Sequence, residues 1–308
     1  MSKSTLGRAV QDYLGLRRSF GYVLAGQDRP LSDFADYLDR IGLDTVTVEA
    51  ALAWAVGSGA SQLRHFQRLA MVRGFATYLQ AIDPRCEVPA RELLHEGRRR
   101  VPPHIYSAEE IARLMSRSRD LRPPFRAMTI ETAVGLLAVT GMRVGEAIGL
   151  DREDVDLTHG LVTIRHAKGD KPRLVPLHRT SQQALRHYAA LRDEVFPQPF
   201  CSSFFISERG TRLPYCTAHR WFRIIARQVG LRQPGGQLGP RLHALRHHFA
   251  IQTMLRWYRS KTDVEAHLPE LSTYLGHAQV RDTYWYLSSV PELLRLATRR
   301  CQRKEAGR

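Results

Sequence analysis

Leu-Ser-Thr-Tyr-Leu-Gly-His-Ala-Gln-Val-Arg-Asp-Thr-Tyr-Trp-Tyr-Leu (271–287) sets a histidine, His277, directly behind a glycine and follows it with two tyrosines, Tyr284 and Tyr286. Helical apolar spacing runs over 263–275, stops at Gly276, and resumes over 281–297. The stretch therefore reads as helix, turn, helix, with the imidazole at the turn and the phenols on the second helix. An aromatic cluster at helical spacing is by itself explained by core packing. It gains chemical meaning only if basic groups elsewhere could neutralise a phosphate beside a tyrosine.

Such groups occur upstream, each in a distinctive local phrase. Thr-Gly-Met-Arg-Val-Gly-Glu-Ala-Ile-Gly-Leu (140–150) puts Arg143 just past a glycine stop and at the start of a short helix over 144–150. Backbone N–H groups at a helix start and a planar guanidinium together suit a phosphate. Ala-Lys-Gly-Asp-Lys-Pro (167–172) joins two β-rich runs, Leu161-Val-Thr-Ile-Arg and Arg173-Leu-Val-Pro-Leu, and reads as a hairpin with Lys168 and Lys171 at its tip. Either lysine could reach a leaving oxygen, and spacing does not choose between them. His243-Ala-Leu-Arg246 places two polar groups on one helical face. His243 and His247 have the spacing of a metal pair, but no third ligand stands nearby, so no metal is expected.

The bulk composition agrees with a nucleic-acid partner. The 308 residues carry a formal net charge of +16, of which residues 1–95 contribute +1 and the remainder +15. A polyanion-binding surface is thus expected mainly in the second part. No apolar run is long enough for a membrane span, and the N-terminus lacks the apolar core of a signal peptide. Cys86, Cys201, Cys216 and Cys301 are widely spaced, which fits reduced thiols in a cytoplasmic protein.

Residues 1–95 predict a small all-helical domain of four or five helices. Leu31, Phe34, Leu38 and Ile41 mark one apolar face, Val48, Leu52, Ala55 and Val56 a second, and Leu63 through Leu79 a third. Ser32 and Asp44 are predicted helix starts and Gly42 a stop. Glu-Gly-Arg-Arg-Arg-Val-Pro-Pro-His (96–104) cannot continue a helix and reads as a basic linker, with Arg98, Arg99 and Arg100 as candidate DNA contacts. From 105 to 308 the pattern predicts a mainly α domain with a small β-sheet (α+β). Ser107-Ala-Glu-Glu opens a capped helix to about 118, and an apolar helix over 126–140 ends at Gly141. Further helices are expected over 180–193, 215–229 and 242–257.

Taken together, the phrases over about 105–298 resemble the tyrosine recombinase, or phage integrase, family, which includes Xer, Cre and lambda-type enzymes. The resemblance assigns catalytic roles to Arg143, Lys168, His243, Arg246 and His277. It also selects Tyr286 over Tyr284 as the nucleophile, because the family places it nine residues after the histidine. Ala244 stands where the family commonly has an acidic residue, and His248 where a small hydroxyl residue is usual. Neither departure removes a catalytic group.

The resemblance implies cleavage and rejoining of DNA through a 3′-phosphotyrosyl link, without cofactor or metal. Integration, excision or transposition of a DNA element would be its purpose. It implies a two-domain clamp on double-stranded DNA, with residues 1–95 as the core-binding domain and Lys171 and Arg173 as further DNA contacts. A tetramer passing through a Holliday junction is expected, with companion recombinases or accessory proteins as possible partners. The tail from Pro291 is expected to dock on a neighbouring subunit. The alternatives are a DNA-binding protein of the same fold that no longer cuts, and a type IB topoisomerase-like activity.

Overall fold

The computed structural model describes residues 5–22, 24, 26–57, 59–95, 104–165, 172–233, 239–260, 262–277 and 279–306. Within these, the side chains of 287–289, 300, 301 and 303–306 fall outside the description. The chain divides into two compact units, Met1–Val101 and Pro102–Arg308.

The first unit is built from α1 (Thr5–Ser19), α2 (Asp28–Arg40), α3 (Val48–Val56) and α4 (Gln62–Gln80). Leu31, Phe34 and Leu38 of α2 and Leu69, Val72, Phe75 and Leu79 of α4 are buried, as their spacing predicts, together with Leu6, Val10 and Leu14 of α1. Each such side chain contributes about 1.5–3 kcal/mol on burial. Ile41 falls beyond the end of α2 and is exposed. Ser32 lies inside α2, which starts a turn earlier at Asp28. The start of α3 is set by Thr47, whose hydroxyl accepts the Ala50 N–H at 3.2 Å, and not by Asp44. The buried side of α3 is Ala50, Ala51, Trp54 and Ala55; of the predicted face Ala55 is buried, Val48 and Leu52 are half-buried and Val56 is exposed. The buried residues face the neighbouring core, where α3 packs on α4 and α2.

The second unit has its helices around α6 (Pro124–Thr140), which is buried along most of its length between α5 (Ala108–Ser118), α8 (Arg179–Val195) and α10 (His243–Arg259). The predicted cap of α5 is present in both halves. The Ser107 hydroxyl accepts the Glu110 N–H at 3.1 Å, and the Glu110 carboxylate accepts the Ser107 N–H at 2.9 Å. Gly141 ends α6 at φ +62°, and α7 (Val144–Gly149) follows. The sheet is a three-stranded antiparallel meander, β1 (Val155–Asp156), β2 (Leu161–Ile164) and β3 (Arg173–Pro176), in that order. Ile164 pairs with Arg173, so the predicted hairpin is present at its base, while β1 was not foreseen.

After α9 (Tyr215–Gln228), the chain forms α10, α11 (Val264–Leu275), α12 (Arg281–Ser289) and α13 (Pro291–Ala306). The single helix expected over 281–297 is two helices. Proline has no N–H to continue the ladder, so Pro291 ends α12 and starts α13 instead. The bend turns Leu293 of α13 into a core shared with Met254 of α10, Leu271 of α11 and Tyr286 of α12. The tail thus packs on its own unit here, and Arg259 meets Glu292 at 2.9 Å. Among the described residues, no helix is long and apolar enough to cross a membrane.

Candidate active site

The site is assembled on the C-terminal end of α11. A helix end leaves its last carbonyls without partners, and Gly276 satisfies two of them by adopting φ +68°. In that turn the Gly276 N–H donates to Thr273 and the His277 N–H donates to Ser272, both at 2.9 Å. The next three carbonyls each accept from an arginine that arrives from a different part of the chain. Arg173 Nε donates to the Tyr274 oxygen at 2.8 Å, Arg246 Nη2 to the Leu275 oxygen at 2.6 Å, and Arg143 Nη2 to the Gly276 oxygen at 2.7 Å. The negative end of the helix dipole favours cations there. The turn must be glycine for a second reason: a Cβ on Gly276 would come within 2.7 Å of Arg173 Nη1.

Glu146 ties two of these arginines together. Its carboxylate, 4% exposed, accepts from Arg143 Nη1 at 2.7 Å and takes both Nη1 and Nη2 of Arg173, at 3.1 and 2.7 Å. It also accepts the Arg143 backbone N–H at 2.8 Å, which anchors the start of α7. Burial acts to raise the Glu146 carboxyl, but the Arg173 and Arg143 guanidiniums outweigh it and hold it below the usual carboxylate range. Arg246 is held at its other end by the Gly141 carbonyl at 3.0 Å. Burial, reinforced by the nearby positive charge of Arg143, brings its pKa down to about 10, so it remains cationic at neutral pH.

Tyr286 is 2% exposed, and its phenol lies in the field of the Arg246 guanidinium. Burial pushes its pKa up, and the Arg246 and Arg143 charges only partly offset this, so the phenol is neutral. Tyr284, two residues earlier on α12, is 49% exposed. The Tyr286 ring stands 6.1 Å from His277 and 5.4 Å from His247, centroid to centroid, and His247 lies 4.9 Å from His243. All three histidines are held neutral. Burial, then the Arg246 and Arg143 charges, brings His277 down to about 4, with His277 Nδ1 2.7 Å from the Thr283 hydroxyl oxygen. Burial, then the neighbouring His243 and Arg246, brings His247 to about 3. His243 faces solvent on one side, and its lowered pKa comes from partial desolvation followed by the Arg246 and Arg143 charges.

The structure therefore brings Arg143, His243, Arg246, His277 and Tyr286 to one place. Arg173, expected as a DNA contact, also lies there, with its side chain 10% exposed and its donors directed at Glu146 and Tyr274. Lys168, Lys171, Arg98, Arg99 and Arg100 lie outside the described residues. Among the described residues no group of three or more His, Cys, Asp or Glu could hold a metal ion. His248 gives its ring Nδ1 to a contact of 2.6 Å with the Tyr106 carbonyl, which accounts for an imidazole at that position. Glu146 was not singled out from the sequence. Its signal was available: an acidic residue three places after Arg143, at the third position of a short helix, has the spacing of a capping group.

Residues 105–292 match the phage integrase family. The Sinorhizobium fredii protein named integrase/recombinase y4rB is 42% identical over 308 residues, covering 98% of this chain and 98% of its own. Tyrosine recombinase XerC of Pseudomonas aeruginosa is 30% identical over 273 residues, 88% of this chain and 82% of its own. Among solved structures, XerH site-specific recombinase in its post-cleavage complex with palindromic difH substrate has a TM-score of 0.65 at 19% identity, over 88% of this chain and 78% of that one. The Tn1549 transposon integrase in complex with transposon right end DNA also has a TM-score of 0.65, at 16% identity, over 96% and 99% of the two chains. At these identities the structural likeness concerns the fold.

Proposed function

The chain belongs to the phage integrase family and is a tyrosine recombinase, a DNA strand-transferring enzyme; from that premise we propose that it cleaves and rejoins specific DNA sites through Tyr286. The observation that carries this reading is the gathering of Arg143, Arg246 and His277 around the end of α11 with the buried Tyr286 beside them. A phenol with a raised pKa is a weak nucleophile, and two fixed cations beside it supply what the reaction lacks.

In the proposed step, Tyr286 Oη forms a bond to phosphorus as the bond to the 5′-oxygen breaks. The products are a 3′-phosphotyrosyl link and a 5′-hydroxyl. The phenol proton passes to His243, which its surroundings keep neutral and able to accept it. Lys168 protonates the departing 5′-oxygen. Charge gathering on the non-bridging oxygens is met by Arg143 and Arg246, with His277 as a further donor. One such donor is typically worth on the order of 10²–10³ in rate. The covalent link conserves the bond energy, so a 5′-hydroxyl from a second strand can reverse the step.

We assign the unit Met1–Val101 to core binding, so that the two units grip one duplex through phosphate contacts that include Arg98, Arg99, Arg100 and Lys171. The reaction serves integration, excision or transposition of a DNA element, by strand exchange in a tetramer through a Holliday junction.

The test uses suicide duplexes nicked beside the scissile phosphate, built on sites selected from a random duplex pool with the full chain. A covalent adduct on Tyr286, abolished in Tyr286→Phe while duplex binding persists, is the expected result. An adduct on Tyr284 would overturn the assignment of the nucleophile. Tight binding with no adduct on any tyrosine would make the chain a non-cutting DNA-binding protein.

A further inference from the structure

We propose that Arg173 is a positioning residue for strand transfer, holding the turn before His277 and the Glu146–Arg143 pair in register, and is not a DNA contact. The proposal rests on the site reading given above. Its basis is the set of partners that this one side chain joins. The guanidinium faces Glu146 with a two-pronged contact and reaches the Tyr274 carbonyl with its remaining edge. Glu146 in turn holds Arg143, and Tyr274 lies two residues before Gly276, whose carbonyl also holds Arg143. Arg173 therefore closes a ring of contacts: Arg173 to Glu146, Glu146 to Arg143, Arg143 to Gly276, and back through the backbone of α11 to Tyr274.

Closure of that ring matters because Arg143 is held by both Glu146 and the Gly276 carbonyl, and Arg173 fixes those two holds relative to each other. With Arg173 in place, each carboxylate oxygen accepts a second bond, and the Tyr274 carbonyl is fixed beside those of Leu275 and Gly276. Arg173 also opens β3, the strand that follows the Lys168–Lys171 segment in the chain. Its bonds thus anchor the root of that segment to the end of α11. A side chain 10% exposed, with all three guanidinium nitrogens engaged by protein, has little left to offer a phosphate.

Lysine separates the two roles. It keeps the charge that a phosphate contact needs, but its compact ammonium cannot span a carboxylate in a planar fork and reach Tyr274 as well. Displacements of about 1 Å at a site can cost ~10²-fold in rate. Single-turnover formation of the Tyr286 adduct on the nicked duplex, at saturating full-length protein, should be about 10²-fold slower in Arg173→Lys. Duplex affinity should be unchanged, and in Arg173→Gln the salt dependence of binding should also be unchanged. The double variant Arg173→Lys/Glu146→Gln should be no slower than the slower single variant, since both changes open the same ring.

An Arg173→Lys rate equal to wild type would overturn the proposal. So would a salt slope shallower by about 1 in Arg173→Gln with the saturated rate intact, which is the mark of a phosphate contact. Additive rate losses in the double variant, or loss of folding and binding in Arg173→Lys, would overturn it as well. A wild-type protein that forms no Tyr286 adduct would instead take down the site reading beneath it.

Discussion

The two units are held together by opposite means. In Met1–Val101 the core is apolar: among the described residues, Thr45 is the one polar side chain buried there. Charged groups stay outside, as in the Arg18–Asp28 pair at 2.6 Å, where both side chains are nearly half exposed. In Pro102–Arg308 the buried set includes Glu146, Asp154, Arg192, Arg232 and Arg246. Taking a charge out of water costs several kcal/mol unless it is paired and hydrogen-bonded, and apolar residues of similar volume would often serve stability as well. The first unit is thus organised for shape. The second accepts an electrostatic cost at several places, and at one of them, Glu146 and Arg246, it does so where Tyr286 sits.

The largest effect that could break this contrast is at Glu146. Removing one partner of a buried ion pair leaves the other uncompensated, typically at a cost of 3–5 kcal/mol. Glu146→Ala would strand two guanidiniums, and urea unfolding should register a loss in about that range. A loss below about 1 kcal/mol, the level of exposed pairs, would mean that the arginines are stabilised by the α11 carbonyls alone.

A more gradual effect should appear with pH. His277 and His247 are depressed to about 4 and about 3, whereas an unfolded histidine titrates near ~6.5. Between those values the unfolded chain holds protons that the native one refuses. The neutral histidines therefore contribute their full stability above about pH 6.5, and this is lost as pH falls toward 4, by up to about 1.4 kcal/mol per pH unit for each. Melting temperatures from pH 8 to 4.5 should fall in that window, and His247→Leu should flatten the slope. An equal slope in the variant would relieve His247 of this role. The smallest effect belongs to the first unit, where Arg18→Ala should leave the urea midpoint unmoved. A clear shift would show that its surface charges matter more than their exposure suggests.

Much of the fold was legible because the signals were local. The Ser107–Glu110 cap, the stops at Gly141 and Gly276, and the base of the hairpin all depend on residues within a few places of each other. Pro291 was equally local, and the helix expected across it was a misreading of apolar periodicity over a stronger breaker. The burial of Ala50, Ala51 and Trp54 of α3 could not be seen, because it depends on where α2 and α4 pack against that helix. The site divides in the same way. Arg143, His243, Arg246 and His277 announced themselves in short phrases, whereas the role of Arg173 depends on Glu146, 27 positions away, and Tyr274, 101 positions away. In the sequence it was one more cation beside a basic hairpin.

The three arginines at the end of α11 are held by main-chain oxygens, and this makes the genetic record of the site one-sided. Changing Tyr274 or Leu275 to another residue of similar bulk alters the side chain and leaves its carbonyl where it was. A saturation scan read by recombination should therefore be intolerant at Arg143, Arg173 and Arg246 and tolerant of changes of similar bulk at Tyr274 and Leu275. The exceptions are Gly276, where a Cβ would come within 2.7 Å of Arg173 Nη1, and Gly141, where one would come within 2.5 Å of the Phe249 ring. The accepting half of each of these three contacts with α11 is written in the backbone, where no codon can erase it.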